Sequence, residues 1–444
     1  MSQAAGGPEG KRFLRPVRQS VKAPVTEQMT PNESDQQARA TADAVARRSY
    51  GKLVAFLAAR THDVAAAEDA LSEAFASALE AWPRDGCPAN PEAWLLTVAR
   101  RKNIDSLRGL RRHELASDEL LSTTTLVQAA PLDGEIPDER LAMMFACAHP
   151  AIDASIRAPL ILQVVLGLDA KTIASAFLMS PAAMGKRLVR AKEKIRQAEI
   201  PFRVPLPGEL SARLETVLDA IYAAFAEGWT DPGGTDLARR ELTAEALFLA
   251  RLVVHLLPAE PEALGLLALM LHSESRRRAR RYASGEYVPL AQQNSSLWDA
   301  EMIAEAESLL HQAATLAAIG RYQLEAALQS AHVERCRSGH ENWSHIVKLY
   351  DALFVLCESP VVAINRALAI AELDGPATAL NAMPDESADP RLAEYQPYWA
   401  ARADLLARAC QYDEARHAYS IAIGLERDPA VRTFLERRLT LLMG

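Results

Sequence analysis

Apolar positions recur along the chain at intervals of three and four, and no sustained alternating β-branched run interrupts them. That period predicts amphipathic helices rather than strands, so the expected fold class is all-α. Val64 to Trp82 is a clear case. Leu71, Phe75, Ala78, Leu79 and Trp82 make one stripe, with Asp69, Glu73 and Glu80 opposite. Gly167 to Ile195 predicts two short helices joined by a tight turn. Asp169 is placed to cap the first, whose apolar face is Ile173, Ala174 and Phe177. Ser180 followed by Pro181 is an N-cap with proline at the first helical position, a strong start signal. In the second helix Met184, Leu188, Ala191 and Ile195 form the packed stripe, while Lys186, Arg187, Arg190 and Lys194 lie off it. This is the form of a helix-turn-helix whose second helix enters the DNA major groove. An ordinary helical hairpin with a solvated basic face carries the same pattern.

Breaks in the periodicity divide the chain. Residues 1–36, rich in Gly, Pro, Gln and Ser with interspersed Lys and Arg, read as a disordered arm. A helical domain over 37–113 follows, then a linker at 114–137 and a second helical domain at 138–200. The proline-rich 201–209 reads as another linker, and 210–444 as a long helical extension. Within the first domain Pro83 to Pro91 is a turn that cannot continue the preceding helix. Glu92 to Leu107 is basic, and its apolar residues form no single stripe: it packs on more than one side or breaks near Asn103. In the extension Trp399, Ala403, Leu406, Tyr412, Ala415, Tyr419 and Ala422 fall at the positions of a tetratricopeptide (TPR)-like helix pair. A weaker unit spans Pro360 to Leu380.

Charge changes this picture only when divided. The chain carries a formal net charge of -8 over 444 residues. Residues 1–200 hold 26 Lys and Arg against 24 Asp and Glu, whereas 201–444 hold 23 against 33. Local basic patches set phosphate affinity, so the acidic total does not exclude a nucleic-acid partner. Five scattered cysteines without a CxxC pair read as reduced, mostly buried thiols in the cytoplasm. The N-terminus lacks the apolar segment of a signal peptide, and no apolar run is long enough to cross a membrane. No HExxH motif, phosphate loop or nucleophile elbow appears, so no catalytic or metal-binding residue and no cofactor is assigned; the chain reads as not an enzyme. The run Arg276, Arg277, Arg278, Arg280, Arg281 reads as a solvated loop, or as an internal contact with an acidic surface or nucleic acid.

Two blocks carry a resemblance. AEDALSEAF (67–75), WP (82–83) and NPEAWLLTVARRKNIDSLR (90–108) resemble region two of the bacterial extracytoplasmic-function sigma factors. RLAMMFACAHP (140–150) and the segment up to Ile195 resemble region four of the same family, in the right order. The resemblance implies that Asp69 and Glu73 meet core RNA polymerase. Asn90, Trp94, Arg100, Arg101, Lys102 and Arg108 would then serve the -10 element of promoter DNA. Ser180, Ala182, Ala183, Lys186, Arg187, Arg190 and Lys194 would serve the -35 element. Lys171 and Thr172 stand where an acidic residue is usual in the family. Landmarks such as PAEPEALGLLALML (258–271) and NWSHIVKLYDAL (342–353) are similar to a sigma subgroup with a large C-terminal regulatory extension. QQNS (292–295) replaces the acidic-basic run typical there.

The expectation is therefore a sigma factor whose extension touches the sigma core, with a regulatory protein or peptide as a further partner. The acidic second half would restrain the basic helix. The alternative is a polymerase-independent regulator with a ligand- or peptide-sensing repeat domain; such a protein has no use for an acidic polymerase-facing helix.

Overall fold

In the computed structural model, residues 31–113, 138–177, 179–229, 237–387 and 389–443 are described. The expected linker 114–137 and residues 1–30 of the expected arm lie outside them. All regular elements among the described residues are helical, apart from one isolated bridge between Arg281 and Tyr287.

The first three helices are α1 (Pro31–Thr61), α2 (Val64–Asp85) and α3 (Pro91–His113). The first of these begins inside the stretch expected to be a disordered arm, so residues 31–36 are helical rather than part of it. A second departure lies at Pro83, which sits in the last turn of α2 instead of ending the helix before it. Proline is tolerated there because it forfeits a single backbone bond, and Gly86, at φ 84°, then returns its N–H to the Trp82 carbonyl. Helix α3 runs unbroken through Asn103. Its Leu95, Leu96 and Ala99 are buried against both α1 and α2, which is why no single stripe marks it. Of the stripe expected on α2, Leu71, Ala78 and Trp82 are buried, Phe75 is half-buried, and Leu79 is 45% exposed.

Four helices follow: α4 (Arg140–Cys147), α5 (Ala154–Leu166), α6 (Ala170–Ala176) and α7 (Pro181–Gln197). They pack directly on the first three. A Cβ built on Gly51 of α1 would stand 1.8 Å from the Val165 carbonyl oxygen of α5, so only glycine permits this approach. Gly167, left-handed at φ 69°, closes α5 against the Tyr50 ring.

The expected linker 201–209 is anchored at several points. Ile200 is buried, Phe202 meets His62 edge-on at 5.9 Å, and α8 (Pro207–Trp229) has already begun at Pro207. Helix α8 packs on α5 and α4, and α9 (Leu237–Leu256) also meets α4. The next helix, α10 (Pro261–Ser275), is buried continuously from Ala263 to His272, the mark of a helix enclosed on all sides. It is surrounded by α8, α9, α11 (Ala300–Thr315) and α12 (Arg321–Ser338). One apolar core runs without interruption from Ala38 to Ala326, through both small helical groups and into the extension.

Beyond it, α13 (Trp343–Cys357), α14 (Pro360–Asp374), α15 (Pro376–Ala382), α16 (Gln396–Arg408), α17 (Tyr412–Leu425) and α18 (Pro429–Thr440) stack largely on sequence neighbours. In the α16–α17 pair Trp399, Ala403, Leu406, Ala415, Tyr419 and Ala422 are buried, whereas Tyr412 is 47% exposed. The thiols are free, but only Cys147 is buried; Cys410 is exposed and the other three are half-buried.

Gly51→Ala is expected to cost about 1–3 kcal/mol, because the backbone of α5 has nowhere to yield without parting the two helical groups. Urea unfolding monitored by circular dichroism measures this directly.

Candidate polymerase and DNA interface

Asp63 caps α2 by accepting from the Ala66 N–H at 3.0 Å, which orients the acidic edge of this helix. Asp69 and Glu73 are exposed on that edge, and Glu73 pairs with Lys102 of α3 at 3.4 Å. Trp82 is buried, and its ring meets that of half-buried Trp94 edge-to-face at 5.5 Å. Asn90 accepts from the Ala93 N–H at 3.0 Å and so fixes the start of α3. Arg101 is exposed beside this platform.

Arg100 is not. Its guanidinium turns inward to lie over the Phe56 ring at 5.1 Å, on a face it shares with Arg60 at 3.5 Å. Burial, and then the charge of Arg60, lower its proton affinity. The geometry gives it a packing role that the resemblance did not anticipate. Arg108 lies in α3, with its side chain outside the described residues.

The second group is built on α6 and α7. Asp169 accepts from the Thr172 N–H at 2.7 Å, which holds its carboxyl below the usual range. Ser180 accepts from the Ala183 N–H at 3.3 Å, and Pro181 opens α7. Met184, Leu188, Ala191 and Ile195 are all buried, as the periodicity requires. Ala182, Lys186, Arg190 and Lys194 are exposed. Val189, which sequence reasoning passed over, is 67% exposed between Lys186 and Arg190. Its signal was present as an apolar residue off the packed stripe.

Arg187 departs from expectation. It is half-buried, donates to Ser155 Oγ and to Met179 sulfur at 3.5 Å, and approaches Asp153 at 3.6 Å. These contacts tie α7 to the start of α5 and leave Arg187 facing the protein. Lys192, also on α7 and assigned no role from sequence, forms a 2.6 Å ion pair with Glu68 of α2; the two side chains are 11% and 17% exposed. Arg196 stands 3.9 Å from Asp63 beside it. Burial pushes the Cys147 thiol up to about 12, with the charges of Lys192 and Glu68 acting on it in opposite directions. Among the described residues the basic helix thus meets acidic partners on α2 and at the start of α5 rather than in the extension. The extension instead holds α4, where Arg140 donates to Asp138 at 2.8 Å and to Glu245 of α9, with its guanidinium 4.7 Å from the Phe248 ring.

Comparison with known proteins adds the family. Residues 45–113 match the family Sigma-70 region 2, and this span covers most of α1 together with α2 and α3. A probable RNA polymerase sigma factor, RfaY, of Xanthomonas campestris pv. campestris is 32% identical over 167 residues, which span 34% of this chain and 40% of that protein. The first three helices of this chain thus carry a sigma-70 region 2 domain. An uncharacterized protein of Rhizobium meliloti (strain 1021) is 39% identical over 378 residues, covering 84% of this chain and 89% of the relative. Residues 213–314, from α8 to α11, match a family of unknown function, DUF6596. No solved structure matches. Among the described residues no helix is long and apolar enough to cross a membrane, and no group of His, Cys, Asp and Glu is arranged to hold a metal.

Glu68→Gln leaves a nearly buried ammonium without its counter-charge. It is expected to cost up to about 3 kcal/mol, the low end for a broken buried pair because both side chains keep some exposure. A Glu68→Lys192 swap of charges (Glu68→Lys with Lys192→Glu) should recover most of the loss in a double-mutant cycle. In native protein at pH 8, Cys410 should react with iodoacetamide while Cys147 stays intact until unfolding, as read by peptide mass spectrometry.

Proposed function

We propose that the protein is a sigma factor of the extracytoplasmic-function type, directing core RNA polymerase to specific promoters. The observation that carries this reading is the region-two match over α1–α3, with Asp69 and Glu73 left exposed on α2 next to the Trp94 platform. In this reading α2 docks on polymerase. Asn90, Trp94, Arg101 and Lys102 serve the unpaired -10 strand, where an exposed ring face and adjacent cations suit base stacking and backbone contact. Helices α6 and α7 act as the helix-turn-helix, with Lys186, Arg190 and Lys194 directed to the -35 element. Arg100 and Arg187, occupied within the protein, position α3 and α7 instead.

The arrangement of the two groups bears on control. The -35 and -10 elements lie about 25 base pairs apart, or ~85 Å of duplex. With Glu68 and Lys192 in contact, α2 and α7 cannot reach both. Residues 114–137 span at most ~80 Å when extended, enough to bridge most of that distance once the groups part. The protein therefore rests closed and opens on polymerase and promoter. The extension, gripping α4 and α5 through α8 and α9, biases that opening, and its TPR-like pairs offer a surface for a regulatory protein or peptide.

Asp69→Arg with Glu73→Arg should abolish co-purification with core polymerase and in-vitro transcription. If DNA binding and regulation persist without polymerase, the sigma reading fails. Lys186→Ala with Arg190→Ala should retain polymerase binding, weaken promoter binding and lower the salt slope of that binding by about 2. Glu245→Arg, which sets a second cation against Arg140, should change promoter output by about fivefold or more. Unchanged output would remove the extension from control.

A further inference from the structure

Helix α7 presents two rows of residues outside its packed stripe. Lys186, Arg190 and Lys194, four residues apart, are exposed and form a cationic row. Beside it, with about 100° of rotation per residue, stand Ala182, Gly185 and Val189. These three are spaced by three and four and carry no charge. Lys192 and Arg196 continue that edge towards the C-terminus, but Glu68 and Glu193 engage them. The uncharged row therefore lies in the N-terminal part of the helix and stops where the contact with α2 begins.

Two members of this row have no explanation in the packing of the described residues. Val189 is 67% exposed, although valine is a poorer helix former than lysine or glutamine. Gly185 tells more. Glycine inside a helix is destabilising relative to alanine, so a left-handed turn or a close approach is the usual reason for it. Gly185 has neither: its backbone is right-handed, and a Cβ built on it would meet nothing within 4 Å. A lone exposed valine is ordinary. Next to a glycine that no internal contact demands, and along a row of cations, it marks a face shaped for close apolar contact with a polyanion.

We infer that Ala182, Gly185 and Val189 form the base-reading face of α7, and that Val189 selects thymine within the -35 element. The inference rests on the reading of α7 as a major-groove helix given above. In that groove only thymine presents a methyl group, which takes apolar contacts, whereas cations reach phosphate or guanine. Gly185 lets the helix backbone come against the base edges. The cationic row lies along the phosphates, and the Val189 methyls pack on the thymine C5-methyl.

The test begins with a pool of randomised duplexes, from which the full-length chain bound to core polymerase selects its preferred sequence. Each thymine of the selected duplex is then replaced in turn by uracil, which keeps the base pair and lacks only the methyl. At one position at least, the parent protein should bind the uracil duplex about fourfold more weakly, the worth of one buried methyl. Val189→Ala should bind the thymine and uracil duplexes alike, while Val355→Ala, at another exposed valine on α13, keeps the difference. Gly185→Ala should weaken every duplex by about tenfold. Its thermal midpoint should be at least as high as the parent's, which a packing role would not allow.

The inference is overturned if no duplex is selected, if no uracil substitution weakens parent binding, or if Val189→Ala keeps the difference. It is also overturned if Gly185→Ala binds as the parent does or unfolds at a lower temperature. Polymerase binding and transcription without any thymine preference leave the sigma reading standing and this inference refuted. A chain that ignores polymerase yet shows the Val189-dependent preference alone upholds the inference and refutes the sigma reading.

Discussion

Glu68 and Lys192 face each other 2.6 Å apart between α2 and α7, almost withdrawn from water, and the relation between the two small helical groups depends on that pair. Partial burial is what gives it weight. An exposed pair on these helices would contribute little, whereas a pair largely removed from solvent is strongly destabilising to break on one side. It lies beside the Gly51–Val165 approach of α1 and α5, where backbone meets backbone with no side chain to give way. Together they hold the two helical groups in close register.

The fold was legible in the sequence wherever one helix face was buried. Met184, Leu188, Ala191 and Ile195 were identifiable from spacing alone, and Ser180–Pro181 marked where α7 begins. The all-round burial of α10 was visible as the apolar run 263–271, without indicating its neighbours. Boundaries failed where local rules were outweighed. Pro83 stays in α2 because Trp82, its neighbour, is locked into the core. Helix α1 reaches back to Pro31 through sequence that lacks strong periodicity, with Ala38, Ala42 and Val45 supplying small buried contacts.

The candidate site was legible in its exposed half only. Asp69, Glu73, Lys186 and Arg190 stand where a charged residue off an apolar stripe should stand. The partners of Arg187, Lys192 and Arg281 are 32, 124 and 147 residues away along the chain. No local pattern distinguishes an arginine awaiting phosphate from one bound to a distant oxygen. The same limit hid the fate of Arg100, whose ring partner Phe56 belongs to a different helix.

Helix α9 joins these features into one physical path. Thr243 accepts from Arg277 in the arginine run, and Glu245, two residues on, accepts from Arg140 at the start of α4. Thr243 is buried and Glu245 half-buried, so a rotation of α9 cannot relax one contact without disturbing the other. Arg140 in turn opens the helix that ends at buried Cys147. The arginine run and the start of α4 therefore hold the same helix, α9, at neighbouring positions. Arg281 and Glu286 extend the same connection to the other side, through Asp428 and Arg437 at α18. The arginine run thus stands between the C-terminal helices and α9, bonded to both.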